Sequence, residues 1–299
     1  MESAARFSES PSATVRSENI EARMKIEIRE IGIPPRPSIL AQIEAEVEKD
    51  EPDFINLAKI ISQDVGLSAS LIKVANSPYF SFGKSVPTVQ EAMLVLGLKL
   101  VVNTVAGLAL QEVFKHVPNM EQFWVTSATH AQVAGWVTRR IGLKCGVRPE
   151  DAYTFALFRD CGVPILLIPF PEYQLTLTAA NGERGVSFTD VEDQAMGINH
   201  AQVGAELAEN WLLPKDICMA IKHHHNRQAF DAAAGVVSER SKLLIAFSHV
   251  AEYLVAQQAG QPQNVEWDKL GEACLACLDI DSENLAVLTD DYMAKFAAG

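Results

Sequence analysis

The segment from Phe155 to Val163 holds the residue pair with the clearest capacity for chemistry. Its apolar run ends in two charged residues, Arg159 and Asp160, and a glycine follows shortly after them. Burying charge without a partner costs free energy, so this pair needs a structural or a chemical reason. From the residues alone, three explanations stay open: an active metal site, the remains of such a site, or an ion pair at the end of a buried helix.

Single histidines at three other places could contribute to such a site. His130 lies one helical turn after Thr126 on the same helix face, and it could stand in for a missing ligand. We expect instead a core histidine that is hydrogen-bonded to backbone. His200 stands just inside a predicted helix start, where a cap or a water molecule can satisfy a neutral imidazole. His249 lies within a late predicted helix.

The triplet His223-His224-His225 resembles a metal-binding sequence in composition. On a helix, however, consecutive residues point about 100° apart, so the three side chains cannot all bind one ion. We expect His224 to share the apolar face of its helix and the other two to point elsewhere.

Two cysteines, Cys274 and Cys277, have the Cys-x-x-Cys spacing of redox and zinc sites. Their neighbours indicate a helix, and the chain offers neither a second such pair nor a strand-helix-strand unit. Buried core residues are therefore the favoured interpretation. The five cysteines, an odd number, fit a reducing cytoplasm better than a disulfide framework. No glycine-rich segment matches a phosphate-binding loop.

The elements that must position these residues are helices, because the apolar periodicity is helical and strand alternation is scarce. Asp53 and Asp64 are predicted N-caps. Capping-box spacing occurs at Thr88 with Glu91 and at Asn199 with Gln202, and Gly97 marks a break between helices. Later predicted elements are helices over 121–141, 151–159 and 241–257, a short buried segment over 165–168 and a loop over 181–187.

One loop in the first half carries three aromatic residues, Tyr79, Phe80 and Phe82. These rings could dock a partner or close two parts of the protein against each other, and we favour the second interpretation.

The 299 residues suffice for one large domain or two modest ones, with 48% hydrophobic and 21% charged residues.

The formal net charge of −13 argues against nucleic-acid binding through general electrostatics. No apolar run approaches the length of about 20 residues that a membrane helix needs. Residues 1–25 contain no apolar block typical of a secretory signal, and we expect a disordered lead-in there. The expected location is the cytoplasm.

Several segments, in order, resemble the HDOD family, bacterial signalling relatives of the HD-domain metal-dependent phosphohydrolases. They span about residues 31–226 and are Ile60-Ile61-Ser62-Gln63-Asp64-Val65-Gly66-Leu67, Val74-Ala75-Asn76-Ser77-Pro78-Tyr79, Val89-Gln90-Glu91-Ala92 with Leu96-Gly97, His200-Ala201-Gln202-Val203-Gly204-Ala205-Glu206-Leu207, Trp211-Leu212-Leu213-Pro214 and Ala220-Ile221 followed by His224-His225. The resemblance implies an all-α fold in which an N-terminal helical subdomain, residues 26–118, packs on an HD-like helical bundle, residues 119–299.

The resemblance also implies where metal ligands would stand, and the pattern is incomplete. Thr126 takes the place of the first histidine, Arg159 that of the histidine in the His-Asp pair, and Ser248-His249 follows where a late aspartate often falls. Arginine is a poor metal ligand because it stays protonated and offers only donors. We therefore expect no dinuclear metal centre, and a salt bridge between Arg159 and Asp160 in its place.

These observations favour a stand-alone regulatory protein with a degenerate, non-catalytic site. Its expected partners are signalling proteins, a small molecule or a nucleotide, and not a membrane. The sequence implies no cofactor and does not determine the oligomeric state. If a divalent metal binds, its ligands are Asp160, His200 and His224 or His225. The alternative is a metal-dependent phosphohydrolase acting on a nucleotide or a cyclic dinucleotide. The residues of the degenerate site or ligand cleft are Thr126, Arg159, Asp160, His200, His224, His225 and His249.

Overall fold

A computed structural model describes residues 31–80, 85–142, 146–231, 233–261 and 264–296. Within these ranges all regular structure is helical and no strand occurs, which confirms the all-α prediction. The expected lead-in at residues 1–25 and the aromatic residue Phe82 lie outside the described residues.

Among the described residues, the N-terminal part contains five helices with both ends defined. They are α1 (Ser38–Val47), α2 (Phe54–Ser62), α3 (Val65–Ala75), α4 (Val89–Leu96) and α5 (Leu98–Val113). Asp53 and Asp64 cap α2 and α3 by accepting backbone N–H bonds, as predicted. Gly97 separates α4 from α5 with a φ of 75°, a left-handed value that favours glycine, and the two helix axes differ by 116°.

The C-terminal part contains the two longest helices of the described residues together with several short ones. They are α6 (Glu121–Ile141), α7 (Pro149–Phe158), α8 (Gly162–Leu167), α9 (Tyr173–Gly182), α10 (Phe188–Met196), α11 (His200–Asn210), α12 (Lys215–His223), a 3-10 helix (Arg227–Phe230), α13 (Glu239–Gln258), α14 (Val265–Leu278) and α15 (Ser282–Phe296). Helices α6, α7 and α13 pack on one another, α14 covers α13, and α11 packs on α8 and α12. Every residue of α7 from Asp151 to Phe158 is buried, so the chain leaves this helix at Arg159 inside the protein.

Contacts of two kinds join the N-terminal helices to this bundle. Asp151 at the start of α7 pairs with Lys99 of α5, and the indole of Trp211 donates to the carbonyl of Pro34. Tyr79 stacks on Phe296 with 4.3 Å between ring centroids. This stacking supports the interpretation that the aromatic loop closes two parts of the protein.

Three local predictions differ from the structure. The loop predicted over 181–187 is shorter, because α9 continues to Gly182, and the segment 165–168 belongs mostly to α8. Asn199 accepts from the Gln202 backbone, but the Gln202 side-chain oxygen is buried without a partner, so the reciprocal half of that capping box is missing. A complete capping box forms instead between Ser187 and Asp190 at the start of α10.

No single helix among the described residues combines the length and apolar composition needed to cross a membrane. The pair α4 and α5 meets that criterion jointly, but it is bent by 116°.

Candidate metal centre

Four side chains meet in the C-terminal bundle with their metal-binding atoms within 4.8 Å of one another: Asp160, His200, His224 and His225. The Nε2 atom of His224 lies 3.3 Å from Oδ1 of Asp160, and that of His200 lies 3.6 Å from the same oxygen. The two Nε2 atoms are 3.3 Å apart. His200 and His224 are almost fully buried, while the Asp160 side chain is 27% exposed.

Two backbone features bring these residues together. Asp160 follows the end of α7, and the next glycine, Gly162, lies directly against α11. A Cβ atom at Gly162 would stand 2.0 Å from the carbonyl oxygen of His200, so only glycine permits this approach. Asn199 caps α11 and thereby fixes His200 as its first residue.

His224 and His225 follow α12, which ends at His223. Because the chain leaves the helix there, the 100° spacing of helical side chains no longer applies between them. The expectation that His225 points away from His224 is therefore wrong, whereas His223 does stay outside the cluster. The ring of Phe188 stacks on His225 at a centroid distance of 4.7 Å and holds its orientation.

Each of the three clustered histidines has its other ring nitrogen bound to an acceptor. Nδ1 of His200 lies 2.8 Å from Glu192, that of His224 lies 2.7 Å from the carbonyl of Ile221, and that of His225 lies 2.6 Å from Glu266. These acceptors hold a proton on Nδ1, so in His200 and His224 it is Nε2 that faces Asp160, and a metal ion that displaced any further proton would meet the Nε2 lone pairs there. Metal-binding histidines have this arrangement of outer contacts.

Arg159 fills the other side of Asp160. Its guanidinium donates to Oδ2 of Asp160 at 3.1 Å and to Glu252 at 3.1 Å, and it reaches the Ser248 hydroxyl at 3.0 Å. Arg159 is only 6% exposed. The structure thus contains the salt bridge that the sequence analysis expected, and it adds Glu252 of α13 as a second carboxylate partner.

The remaining sequence candidates do not join the cluster. His249 donates from Nε2 to the carbonyl of His224 at 3.0 Å, so it positions the backbone of a cluster residue. Thr126 accepts a hydrogen bond from Gln122 on its own helix. His130 is buried, and burial lowers its pKa although the negative charge of Glu252 acts to raise it.

The charges of the site shift the pKa values of its members in opposite directions. Burial alone would raise the pKa of Asp160, but the positive Arg159 and hydrogen bonds from the histidines hold it well below its usual range. Burial would lower the pKa of His200, but Glu192 and Asp160 raise it to about 10. For His225, burial and the neighbouring His224 prevail over Glu266 and lower the pKa to about 3.

The sequence analysis did not single out the acidic partners Glu192, Glu252 and Glu266. Glu192 is fully buried and also accepts a hydrogen bond from the hydroxyl of Tyr173. These glutamates lie 8, 93 and 41 positions from the residues they contact. Nothing in the sequence around them marks these contacts, which arise only when the helices pack.

Comparison with known proteins agrees with this architecture. The family profile described as HDOD domain matches residues 33–227, more than half of the chain. The chain therefore belongs to the HDOD family. It is 27% identical over 195 residues to an uncharacterized protein of Treponema pallidum (strain Nichols). The match covers 65% of this chain but only 38% of that relative.

Three crystal structures share the fold at low sequence identity. An HDOD domain protein of unknown function from Geobacter sulfurreducens is 22% identical, with a TM-score of 0.61 over 93% of this chain and 99% of its own. A protein of Shewanella amazonensis SB2B, provisionally named a phosphohydrolase, is 20% identical, with a TM-score of 0.64 over 92% and 95%. A provisionally named signal transduction protein of Marinobacter aquaeolei VT8 is 23% identical, with a TM-score of 0.60 over 88% and 59%.

Proposed function

We propose that this protein is a regulatory HDOD module that holds a single divalent metal ion with Asp160, His200, His224 and His225 and acts by binding rather than by hydrolysis. The sequence alone favoured a site without a metal, with Asp160, His200 and His224 or His225 as the ligands if one bound. The observation that carries the proposal is the convergence of three atoms that can bind a metal, two imidazole Nε2 atoms and a carboxylate oxygen, within 3.6 Å of one another.

Such a convergence is unfavourable unless a cation or a proton lies between the acceptors, since lone pairs repel each other. The spacing fits a metal ion. Ligands about 2.0–2.1 Å from a tetrahedral ion lie about 3.3–3.4 Å from one another. The distances between Asp160 Oδ1, His200 Nε2 and His224 Nε2 are 3.3, 3.3 and 3.6 Å. Imidazole and carboxylate together suit zinc, iron or manganese.

The charge balance around the cluster also favours a divalent cation. Four carboxylates contact the cluster or Arg159: those of Asp160, Glu192, Glu252 and Glu266. Two cationic side chains, Arg159 and Lys269, pair with members of this set. The raised pKa of His200 places a second proton on its ring at neutral pH, and a metal ion bound there must displace it. With all histidines neutral in that bound state, these groups carry a formal excess of two negative charges, which one divalent ion would neutralise.

Arg159 supports the restriction to one ion. Its guanidinium holds a permanent positive charge against Oδ2 of Asp160, and although burial acts to lower its pKa, the carboxylates of Asp160 and Glu252 raise it above the usual value. A second divalent ion at that side of the carboxylate would meet strong repulsion. Hydrolysis by paired metal ions, which needs two cations about 3.5–4 Å apart, is therefore not expected.

Regulation by binding follows from what the site retains and lacks. The site keeps a rigid, buried set of metal-binding side chains. Where a second cation would stand, it has the positive side chain of Arg159, which cannot dissociate. A bound ion would supply a Lewis acid and a structural link between α7, α11 and α12. Signalling proteins, a small molecule or a nucleotide would then recognise the surface that this link stabilises.

Elemental analysis tests the metal part of the proposal. The protein should be purified without a histidine tag from medium supplemented with zinc, iron and manganese. We expect about one divalent ion per chain, lost in His200→Ala, as expected when a ligand of a metal site is removed. His116→Ala is the matched control, since His116 is exposed and lies outside the cluster. Metal-free wild-type protein, or equal metal content in all three samples, would contradict the proposal.

A second function is a single-metal phosphohydrolase acting on a nucleotide or a cyclic dinucleotide. The observation in its favour is exposure, because the side chains of Asp160 and Glu252 are 27% and 22% accessible beside the buried histidines. Turnover of phosphodiester or phosphomonoester substrates by metal-loaded protein, abolished in His200→Ala, would favour this alternative over a purely regulatory function.

A further inference from the structure

A polar cavity of about 780 Å³ adjoins the cluster on the side of His225. It lies between the start of α10, the start of α11, the 3-10 helix and the first turn of α14. His225 belongs to both the cavity wall and the cluster. Such a volume suits a small-molecule ligand, since ligand cavities commonly enclose about 300–1,000 Å³.

Several cationic residues of the cavity wall lie around the first turn of α14. Arg184 bonds Asp268 at 2.6 Å, Arg227 donates to the backbone carbonyl of Lys269 at 3.2 Å, and Lys269 itself belongs to the wall. Lys222 of α12 is a further cationic residue of the wall. This concentration of positive charge is notable in a chain with a formal net charge of −13.

The wall also contains acids and amides of α10 and α11, together with the preceding Asn199. They are Asp190, Asp193, Asn199 and Gln202, and the side-chain oxygen of Gln202 is buried without a hydrogen-bond partner. A buried acceptor without a partner costs free energy, and a ligand N–H or O–H would remove that cost. The wall therefore offers cations to an anionic group and an unpartnered acceptor to a hydrogen-bond donor of the same ligand.

We propose that this cavity binds a phosphate-bearing small molecule of nucleotide size and that its occupancy is the input to the module. The phosphate would lie among Arg184, Arg227 and Lys269, since guanidinium groups bind phosphate through paired charge-assisted hydrogen bonds. The donor-bearing end would reach Gln202 and Asp193. This inference rests on the proposed regulatory function, because it names the ligand to which the metal-holding module responds.

A continuous hydrogen-bond path connects the cavity to the cluster. Lys269 donates to Glu266 at 2.9 Å, and Glu266 accepts from Nδ1 of His225 at 2.6 Å. A phosphate that attracts the Lys269 ammonium would weaken its bond to Glu266 and change the charge felt by His225. Ligand binding and metal affinity should therefore be coupled, and by linkage each affects the other equally.

Isothermal titration calorimetry with adenosine monophosphate tests the inference, with adenosine as the probe that lacks phosphate. The variant is Arg184→Gln/Arg227→Gln, because both side chains are well exposed, 59% and 66%, and contribute little to folding. Arg140→Gln is the matched control, since Arg140 forms the same kind of exposed pair with Asp291 outside this cavity. Elemental analysis is performed on each titrated sample.

We expect adenosine monophosphate to bind the wild type and the control equally, to bind the double variant at least about tenfold more weakly, and adenosine to bind weakly everywhere. Absence of heat in the wild type, or equal affinity in all three proteins, overturns the inference. The metal analysis separates the two proposals. Binding by metal-free wild-type protein supports the cavity and contradicts the metal proposal, whereas metal-loaded protein without binding contradicts the cavity alone.

Discussion

The Nε2 atoms of His200 and His224 face each other at 3.3 Å, although the two residues belong to different helical segments. Each ring is held at its other nitrogen, His200 by Glu192 and His224 by the carbonyl of Ile221. Neither ring can rotate away without breaking a buried hydrogen bond. The protein therefore keeps two lone pairs close together, an arrangement that is stable only with a proton or a metal ion between them.

Metal binding should stabilise the fold, because the four ligands come from three separate segments that the ion would join. We expect zinc at about 100 times its Kd to stabilise the wild type by about 2.7 kcal/mol and to raise Tm accordingly. His224→Gln should show no such shift. Differential scanning calorimetry with and without chelator measures this effect. An unchanged wild-type Tm would contradict a structural metal ion.

Glu192 should act on metal affinity through His200 rather than through direct contact. Glu192→Gln removes the charge that orients the imidazole and should weaken metal binding about 10–100-fold. Tyr173→Phe is the matched control, because it removes the other hydrogen bond to the same carboxylate. Its effect on affinity should be smaller, since the bond to His200 remains. Competition with a chromogenic chelator gives both values, and equal affinities in all proteins would argue against this positioning role.

Arg159 should be important for stability because it neutralises two carboxylates inside the bundle. Arg159→Met leaves Asp160 and Glu252 without their cation and should lower the free energy of unfolding by about 3–5 kcal/mol. Adding Glu252→Gln should recover part of this loss. The exposed Arg140→Met is the control and should change stability by less than about 1 kcal/mol. Urea denaturation of the four proteins measures the series, and a stable Arg159→Met variant would contradict the argument.

Helical periodicity and caps were enough to predict most of the fold. Asp53, Asp64 and Gly97 act locally, through backbone hydrogen bonds and φ, so the sequence around each one determines its effect. The start and end of α6 were also predicted correctly, whereas α9 and α10 were missed. Each of these two helices follows a segment that contains proline or glycine. The Ser187 capping box that starts α10 was not recognised in the sequence.

The candidate site was predicted only in part, for a physical reason. Asp160, His200 and His224 could be singled out through resemblance, but the orientation of His225 depends on where α12 ends. The helix rule applied to the triplet assumed that α12 continues to His225, two residues beyond its observed end at His223. The contacts of Glu192 and Glu266 with the histidines depend on how α10, α11 and α14 pack, and no local pattern encodes that packing.

Acid should weaken the connection between the two parts of the protein through Asp151. Burial acts to raise the pKa of Asp151, but its hydrogen bond to Lys99 and the charges of Lys99, Arg240 and Arg148 lower it below 3.8. The group thus contributes stability that is present above its unfolded pKa of 3.8 and is lost as the pH falls through the folded value.

Asp151→Asn should therefore be less stable than the wild type at neutral pH, by about 2 kcal/mol for the loss of charge-assisted hydrogen bonds. The difference should shrink as the pH falls below 3.8. Urea denaturation of both proteins across this range measures it. Asp291→Asn, which alters an exposed pair, is the control. A difference that stays constant with pH would contradict the assigned pKa direction.

Gly162 should be required for the site because it allows α8 to lie against α11. In Gly162→Ala the new methyl group would stand 2.0 Å from the carbonyl of His200, a backbone atom that cannot rotate away. The helices must separate, which should cost about 1–3 kcal/mol of unfolding free energy and move His200 away from Asp160. Gly182→Ala is the matched control, since a Cβ there meets nothing within 4 Å. We expect reduced metal content and Tm in Gly162→Ala only, and full metal content in that variant would show that the close approach does not position His200.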